Sequence, residues 1–375
     1  MVGRESAMKR ILYLSRGGLI GGSQRQLYYV VTNLDKGYEP IVVCREDGPF
    51  VTQLRSRGIT ASVLPLRPWR KFPIGLYRYF DAERLVKFAK RNKVDLVHSS
   101  DLWLSGYLFW AASRLKVPSI LHVRTPIGPA EIRKHRCIKA SSIIAISKRV
   151  NRDLVSAGIQ PDKITLIEDA VDLQLFDDQN HDRSVISRDF SPKGEIIVGI
   201  VGRIEPPKRQ LVFLQAAEQI LRNSSKSVTF FVIGEVCSQQ YFEQLQQFIR
   251  QAGLNGGVFF TGRRDDMPQV LNSMDILVSL SGGSVMFEAM SCGRAVVSAG
   301  FTPKGDSVHI QDGQTGLLIN SHQPADLAGA LMRLINAPDL REKIGRHARQ
   351  WAEQHFCHLA MAARTQQLYD RLMQS

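Results

Sequence analysis

DILVSLSGGSVMFEAMSCGRAVVSA, residues Asp275–Ala299, reads as strand, glycine loop, helix and strand in immediate succession. Asp275–Leu280 is a short apolar run of the kind buried on both faces of a parallel sheet. Ser281, Gly282 and Gly283 interrupt it and let the backbone approach a ligand closely. Ser284 is expected to cap a helix over about Val285–Cys292, Gly293 to stop it, and Ala295–Ala299 to form the next strand. Such a βαβ unit leaves free N–H groups and the positive end of a helix dipole beside a loop, which suits a phosphate. Glu288 lies one turn in, on the face of Ser284, where it would accept hydrogen bonds from sugar hydroxyls. Taken alone, the segment also fits an ordinary crossover with a solvent-facing glutamate.

The same unit recurs along the chain. Arg10–Leu14 is a strand, followed by Gly17, Gly18, Gly21 and Gly22 and then a helix over Gln24–Asn33 that Ser23 would cap. Strands at Pro40–Cys44, Ala61–Leu64, Val94–His98, Ser119–Val123, Ser142–Ile146 and Ile164–Ile167 alternate with helical patterns, the signature of a parallel α/β sheet. GGLIGGS does not match the dinucleotide fingerprint G-x-G-x-x-G, so a nicotinamide cofactor is not expected. After Asp172 the chain turns polar, and a second series begins at Ile196–Val201. The expected organisation is a first domain over 1–178, a linker over 179–193, a second domain over 194–352, and a terminal helix over 353–375 returning to the first.

A chain of 375 residues exceeds one ordinary core, and 44% hydrophobic with 22% charged residues is usual for a water-soluble globular protein. No signal peptide and no membrane-spanning run are read. Five scattered cysteines without a CxxC pair favour a reducing compartment, so the expected location is cytoplasmic, with peripheral attachment to the inner membrane face as an option. The net charge is +14, and residues 1–180 hold 29 Lys and Arg against 17 Asp and Glu. The basicity therefore belongs to the first half, whose partner would be an anionic membrane surface or an acidic substrate. No nucleic-acid-binding signature is present, so nucleic acid is not an expected partner.

In the second half Arg203, Lys208, the Gly282–Ser284 loop and Glu288 all fall at strand ends or helix starts. Two cations, a helix N-terminus and a carboxylate one turn on would suit a diphosphate attached to a ribose. His98 and His122 sit at strand ends, where ligands of open parallel sheets bind, although a structural role fits either equally. PLRPWRKFPIGLYRYF, residues 65–80, interleaves Trp69, Phe72, Tyr77, Tyr79 and Phe80 with Arg67, Arg70, Lys71 and Arg78. That pattern suits a headgroup interface, or equally core aromatics with solvated cations. His355, Cys357 and His358 read as a helix surface before they read as a metal site.

The motifs VGRIEPPKRQ (201–210), FVIGE (231–235), FTGRRDDMPQVLNSMDILVS (260–279), FEAMSCGRAVVSA (287–299) and DGQTGLLI (312–319), preceded by IAISKRV (144–150) and ITLIEDAVDLQLF (164–176), resemble in order those of the retaining glycosyltransferases of family four. The resemblance covers nearly the whole chain. It implies a GT-B fold, two Rossmann-like domains facing a central cleft, and a nucleotide-diphosphate sugar as donor. It further implies that Arg203 and Lys208 hold the diphosphate, that Glu288 holds the ribose, and that Arg263 lies against the base through its backbone. Gly21 and Gly22 would face the diphosphate and acceptor, and His122 the transferred sugar. Gly202, Gly234, Gly282, Gly283 and Ser284 complete the expected donor site, His98 and Trp69 are the acceptor candidates, and no metal or cofactor is expected.

Two departures stand out. The family has two glutamates with seven residues between them in the central motif; counting back from Glu288 reaches Leu280, and the loop holds no glutamate. The family's Asn-Gly-Val-Asp is here Asp169-Ala170-Val171-Asp172. The expected activity is metal-independent, retaining transfer to a hydroxyl of a lipid-linked or cell-surface glycan. The other readings are a catalytically silent sugar-nucleotide-binding subunit that scaffolds an active transferase, and a nucleotide-sugar 2-epimerase.

Overall fold

The computed structural model describes residues 8–70, 77–177, 184–192, 195–299 and 309–374. Lys71 and Phe72, residues 179–183 and 193 of the expected linker, and the loop at 301–307 lie outside the described residues. The chain begins with β1 (Lys9–Ser15), α1 (Gly22–Thr32), β2 (Tyr38–Cys44), α2 (Pro49–Ser56), β3 (Thr60–Val63), α3 (Arg78–Arg91) and β4 (Leu96–Ser99). It continues with α4 (Ser105–Leu115), β5 (Ser119–Val123), α5 (Pro129–Lys134), β6 (Ser142–Ala145), α6 (Lys148–Ser156) and β7 (Ile164–Leu166). Then follow α7 (Val185–Phe190), β8 (Ile196–Val201), α8 (Gln210–Asn223), β9 (Val228–Ile233), α9 (Gln239–Ala252) and β10 (Val258–Gly262). The last elements are α10 (Met267–Asn272), β11 (Ile276–Ser279), α11 (Ser284–Ser291), β12 (Ala295–Ala299), β13 (Leu317–Ile319), α12 (Pro324–Asn336), α13 (Pro338–His355) and α14 (His358–Gln374).

Among the described residues the strands form two parallel sheets, ordered β3-β2-β1-β4-β5-β6-β7 and β10-β9-β8-β11-β12-β13. Helices cover both faces, so strands such as Ile11–Leu14 and Phe230–Val232 are fully buried, which is why they read as unbroken apolar runs. Local chemistry starts and stops the helices where it should. The Ser147 and Ser238 side chains accept from the N–H groups of Val150 and Tyr241 at the starts of α6 and α9. Gly253 closes α9 in the left-handed region, and Pro324 and Pro338 open α12 and α13.

The chain divides into two compact units, one running to Asp169 and rejoined by His358 onward, the other covering Ala170–Cys357. The boundary therefore lies ahead of the position 178 expected from the polar composition. Its reason is hydrogen bonding: Val171 N–H donates to the Phe356 carbonyl at 2.8 Å, Asn272 Nδ2 to the Asp177 carbonyl at 2.8 Å, and Arg349 Nη1 to the Phe176 carbonyl at 2.8 Å. Within the polar stretch, α7 is a helix that composition alone did not reveal; Arg264 pairs with Asp189 near its end, at 2.7 Å. In the first unit α14 packs on α1, and Asp370 takes an ion pair from Lys9 at 2.6 Å and a hydrogen bond from the Tyr38 hydroxyl at 2.5 Å.

Candidate functional site

In each sheet the strand order reverses once, and ligands of open parallel sheets bind outside the carboxyl ends of the strands at that point. In the second sheet the reversal falls between β8 and β11. Lys208, in the turn after β8, donates from Nζ to Ser281 Oγ in the loop after β11 at 3.2 Å. The two loops are thus joined across the switch point. Burial and then the nearby Arg203 cation hold the Lys208 amine below its ordinary value. Arg203 is mostly solvent-exposed and pairs with Glu205 at 2.8 Å. The cations read as equivalent in the sequence are therefore unlike: Lys208 meets a neutral hydroxyl, and Arg203 meets a carboxylate.

Gly202 and Gly234 end β8 and β9 side by side. A Cβ on Gly234, whose φ is +151°, would stand 2.0 Å from the Gly202 carbonyl oxygen, so glycine alone permits this approach of the two loops. Arg263 follows β10 and pairs with Asp265 at 3.2 Å. Around the switch point the structure thus aligns Arg263, Gly234, Gly202, Lys208 and the Gly282–Ser284 loop along one sheet edge.

Two caps differ from expectation. Gly283 (φ 120°), not Ser284, is the N-cap of α11, and no side chain caps it; Ser284 is the first helical residue. The start of α11 is thereby left to whatever anion meets its amides. Likewise Gly21, not Ser23, caps α1, its N–H donating to Gln24 Oε1 at 3.3 Å, with Gly22 in the first turn. In both cases glycine adopts the non-helical dihedrals that the cap demands. Glu288 is buried on α11, one turn from Ser284. Leu280, the position where the family's first glutamate is sought, is 2% exposed and lies in the hydrophobic core. The residue that faces Lys208 here is Ser281.

In the first sheet the reversal falls between β1 and β4. Gly21 and Gly22 follow β1, and His98 and His122 lie near the ends of β4 and β5. The imidazoles stack at 5.9 Å between centroids. His98 is 3% exposed and its Nδ1 shares a 2.8 Å hydrogen bond with the Tyr369 hydroxyl. An acceptor therefore does not reach it, and the acceptor-binding expectation for His98 is corrected to a supporting position behind His122. His122 is partly exposed, and its Nε2 lies 3.3 Å from Arg124 Nη1; Arg124 in turn pairs with Asp169. Burial and the Arg124 cation hold both histidines neutral, His98 down to about 3. Arg124, Asp169 and Tyr369 were not assigned roles from sequence, and Ser281 only as part of the loop after its strand; for Arg124 and Asp169 the signal available was their place at strand ends.

Trp69 is half-buried. Its ring stands edge-on to Tyr107 at 4.9 Å and lies against Gly106. Of the aromatic–basic stretch, Leu66 is core, Arg67 pairs with the buried Asp81 at 3.1 Å, and Tyr77, Tyr79 and Phe80 are exposed. The stretch is thus split between core and surface, and the exposed aromatics depart from the reading of core aromatics. Among the described residues no group of three or more His, Cys, Asp and Glu is placed to hold a metal, and no helix is long and apolar enough to cross a membrane. His355 Nδ1 lies on the Trp351 carbonyl, in keeping with a helix surface.

Solved structures share this architecture. HepE of Anabaena, crystallised with UDP-glucose, matches with a TM-score of 0.85 at 23% identity, over 97% of this chain and all of that one. A glycosyltransferase of Rickettsia africae matches with a TM-score of 0.84 at 19% identity, over 97% and 98%. The fold is of the GT-B class, with two Rossmann-like units. The profile for "Glycosyl transferases group 1" matches residues 182–351 and that for "Glycosyltransferase Family 4" residues 20–175, and the chain belongs to this family. The D-inositol 3-phosphate glycosyltransferase of Rhodococcus erythropolis is 28% identical over 291 residues, 69% of this chain and 65% of that protein. The chain spans about 65% of the length of several such relatives.

Proposed function

We propose that the protein transfers a sugar from a nucleotide-diphosphate sugar to a hydroxyl of a glycan or glycolipid acceptor, with retention at the anomeric carbon and without a metal. The observation that carries this is the Lys208–Ser281 link at the switch point of the second sheet, beside the uncapped start of α11 and the buried Glu288. Departure of a diphosphate needs fixed positive groups where negative charge develops. Lys208 and the first amides of α11 supply them, with Arg203 at the rim. Glu288 takes the ribose and the backbone at Arg263 the base. Gly21 and Gly22 are assigned to the diphosphate on the family resemblance alone. Neutral His122, steadied by His98 and Arg124, hydrogen-bonds the sugar rather than attacking it. Five free cysteines accord with a reducing, cytoplasmic setting, and the positive first half would favour an anionic membrane face.

A panel of UDP-, GDP- and ADP-sugars, each with and without glycan acceptors, tests the reading. The expected result is acceptor-dependent release of one nucleoside diphosphate, unaffected by chelator, with the product's anomeric configuration by NMR matching the donor's. Leu280 in the core, where an acid is sought, favours the second reading, a silent nucleotide-binding subunit. Nucleotide binding by calorimetry with no release against any acceptor would establish that reading and end the first. Release without acceptor, yielding an epimerised free sugar, would point to the epimerase.

A further inference from the structure

A groove lies on the first unit, and neither His98 nor His122 lines it. It is lined by residues of α4 from Ser105 to Arg114 and by Val117 beyond it, together with Trp69, Arg78, Lys134, His135 and Lys139, and encloses about 940 Å³. The eleven residues of α4 make that helix about 16 Å long. Six cations line it: Arg70, Arg78, Arg114, Lys134, Arg136 and Lys139. Its lining holds no carboxylate, and among the described residues only Arg114 of the six has one as a partner, Glu83 at 3.7 Å.

The cations crowd one another. Burial and then the Arg136 cation hold the Arg70 guanidinium below its usual range, and Arg70 Nη1 lies 3.4 Å from His135 Nδ1. Arg70 is also tied to the Lys134 carbonyl. Arg136 holds left-handed backbone at φ 54°, a strained conformation of the kind concentrated at binding sites. Trp69, Tyr79 and Trp110 pack as one aromatic cluster, with centroids 5.3 to 6.4 Å apart. A Cβ on Gly106 would stand 2.2 Å from the Trp69 ring, so this glycine is what lets the indole lie against α4.

We propose that this groove binds an extended polyanionic glycan, one bearing carboxylate or phosphate groups along its length. Several cations gathered in one concave site match a ligand that carries several negative charges, and positive charge without a carboxylate partner raises the local concentration of anions. Aromatic faces stack on the apolar C–H faces of sugar rings. A flat bilayer does not enter a groove, which separates this site from attachment to a membrane. Choosing a glycan over other polyanions, and taking it as the acceptor, rests on the transferase reading.

Binding of an oligogalacturonate to the full chain, followed by calorimetry and tryptophan fluorescence at low and high salt, tests the proposal. A neutral oligosaccharide of equal length, single-stranded RNA and anionic phospholipid vesicles are the comparisons. The expected result is salt-sensitive binding of the charged oligosaccharide and none of the neutral one. Lys134→Glu with Lys139→Glu should weaken it at least about tenfold with an unchanged melting temperature. Lys134→Arg with Lys139→Arg should retain it, as should Lys226→Glu with Lys343→Glu, which alters charge equally in the second unit. No binding at low salt, binding indifferent to the groove reversals, or groove-dependent binding of RNA or vesicles in preference to the glycan would overturn it. Nucleotide-sugar turnover is followed in parallel. Turnover without glycan binding defeats the groove alone, whereas binding without turnover supports the groove and defeats the transferase reading.

Discussion

Lys208 and Arg203 stand five positions apart in a motif where each looks equally suited to a diphosphate, yet their surroundings set them apart. Lys208 is held by Ser281 and partly desolvated; Arg203 lies in solvent against Glu205. An exposed pair contributes little, while a desolvated cation aimed at a developing anion contributes much. Lys208→Ala should therefore lower kcat/KM about 10²- to 10³-fold, and Arg203→Ala by markedly less, in steady-state assays of nucleoside diphosphate release. Equal losses would show that Arg203 leaves Glu205 when donor binds. Lys208 could be singled out in the sequence because a lysine just past a strand end and before a helix is a local pattern. Its partner was not, since Ser281 lies 73 residues on and only the pairing of β8 with β11 brings it near.

Among the elements, α14 is the one whose anchoring contacts the sequence did not name. It is helical by propensity, but its function is to close the first unit around His98. The Tyr369 hydroxyl meets His98 Nδ1, and Asp370 meets Lys9 and Tyr38. Tyr369→Phe keeps the packing and removes the hydrogen bond, leaving a buried imidazole nitrogen unsatisfied at a cost of about 1–3 kcal/mol. Urea titration should show that loss. Activity should fall with it if His98 steadies His122, and recovery at lower temperature would mark the defect as one of stability alone. By contrast α11 was foreseen nearly whole, because glycine loop, helix former and glycine stop follow one another in the chain. The misplaced cap at Ser284 has a simple reason: with glycine at φ 120° just before it, the turn is made one residue earlier.

At the scale of the molecule, two neutral histidines, His98 buried and His122 partly exposed, tie stability to pH. His98 falls from an ordinary 6.5 to about 3 on folding, and His122 shifts in the same direction. Between those values the unfolded chain binds protons that the folded chain does not, so stability is lost as pH falls through 6.5, and His98 alone contributes about 1.4 kcal/mol per pH unit. The melting temperature of the first unit should drop on acidification from pH 7 to 4.5, and His98→Gln should flatten that dependence. An unchanged slope in the variant would mean that other groups titrate.

The sequence by itself determined two parallel α/β units, their glycine loops, and the positions of Lys208, Glu288 and His122. Strand, turn and helix propensities act over a few residues, and the motifs that carry the family likeness are contiguous. Only the tertiary structure decided that His98 is buried, that Ala170–Asp177 joins the second unit, which contacts anchor α14, and that six cations from separate segments share one groove. Those outcomes depend on which distant groups satisfy one another's hydrogen bonds and charges, and the spacing of residues along a chain does not encode such partners.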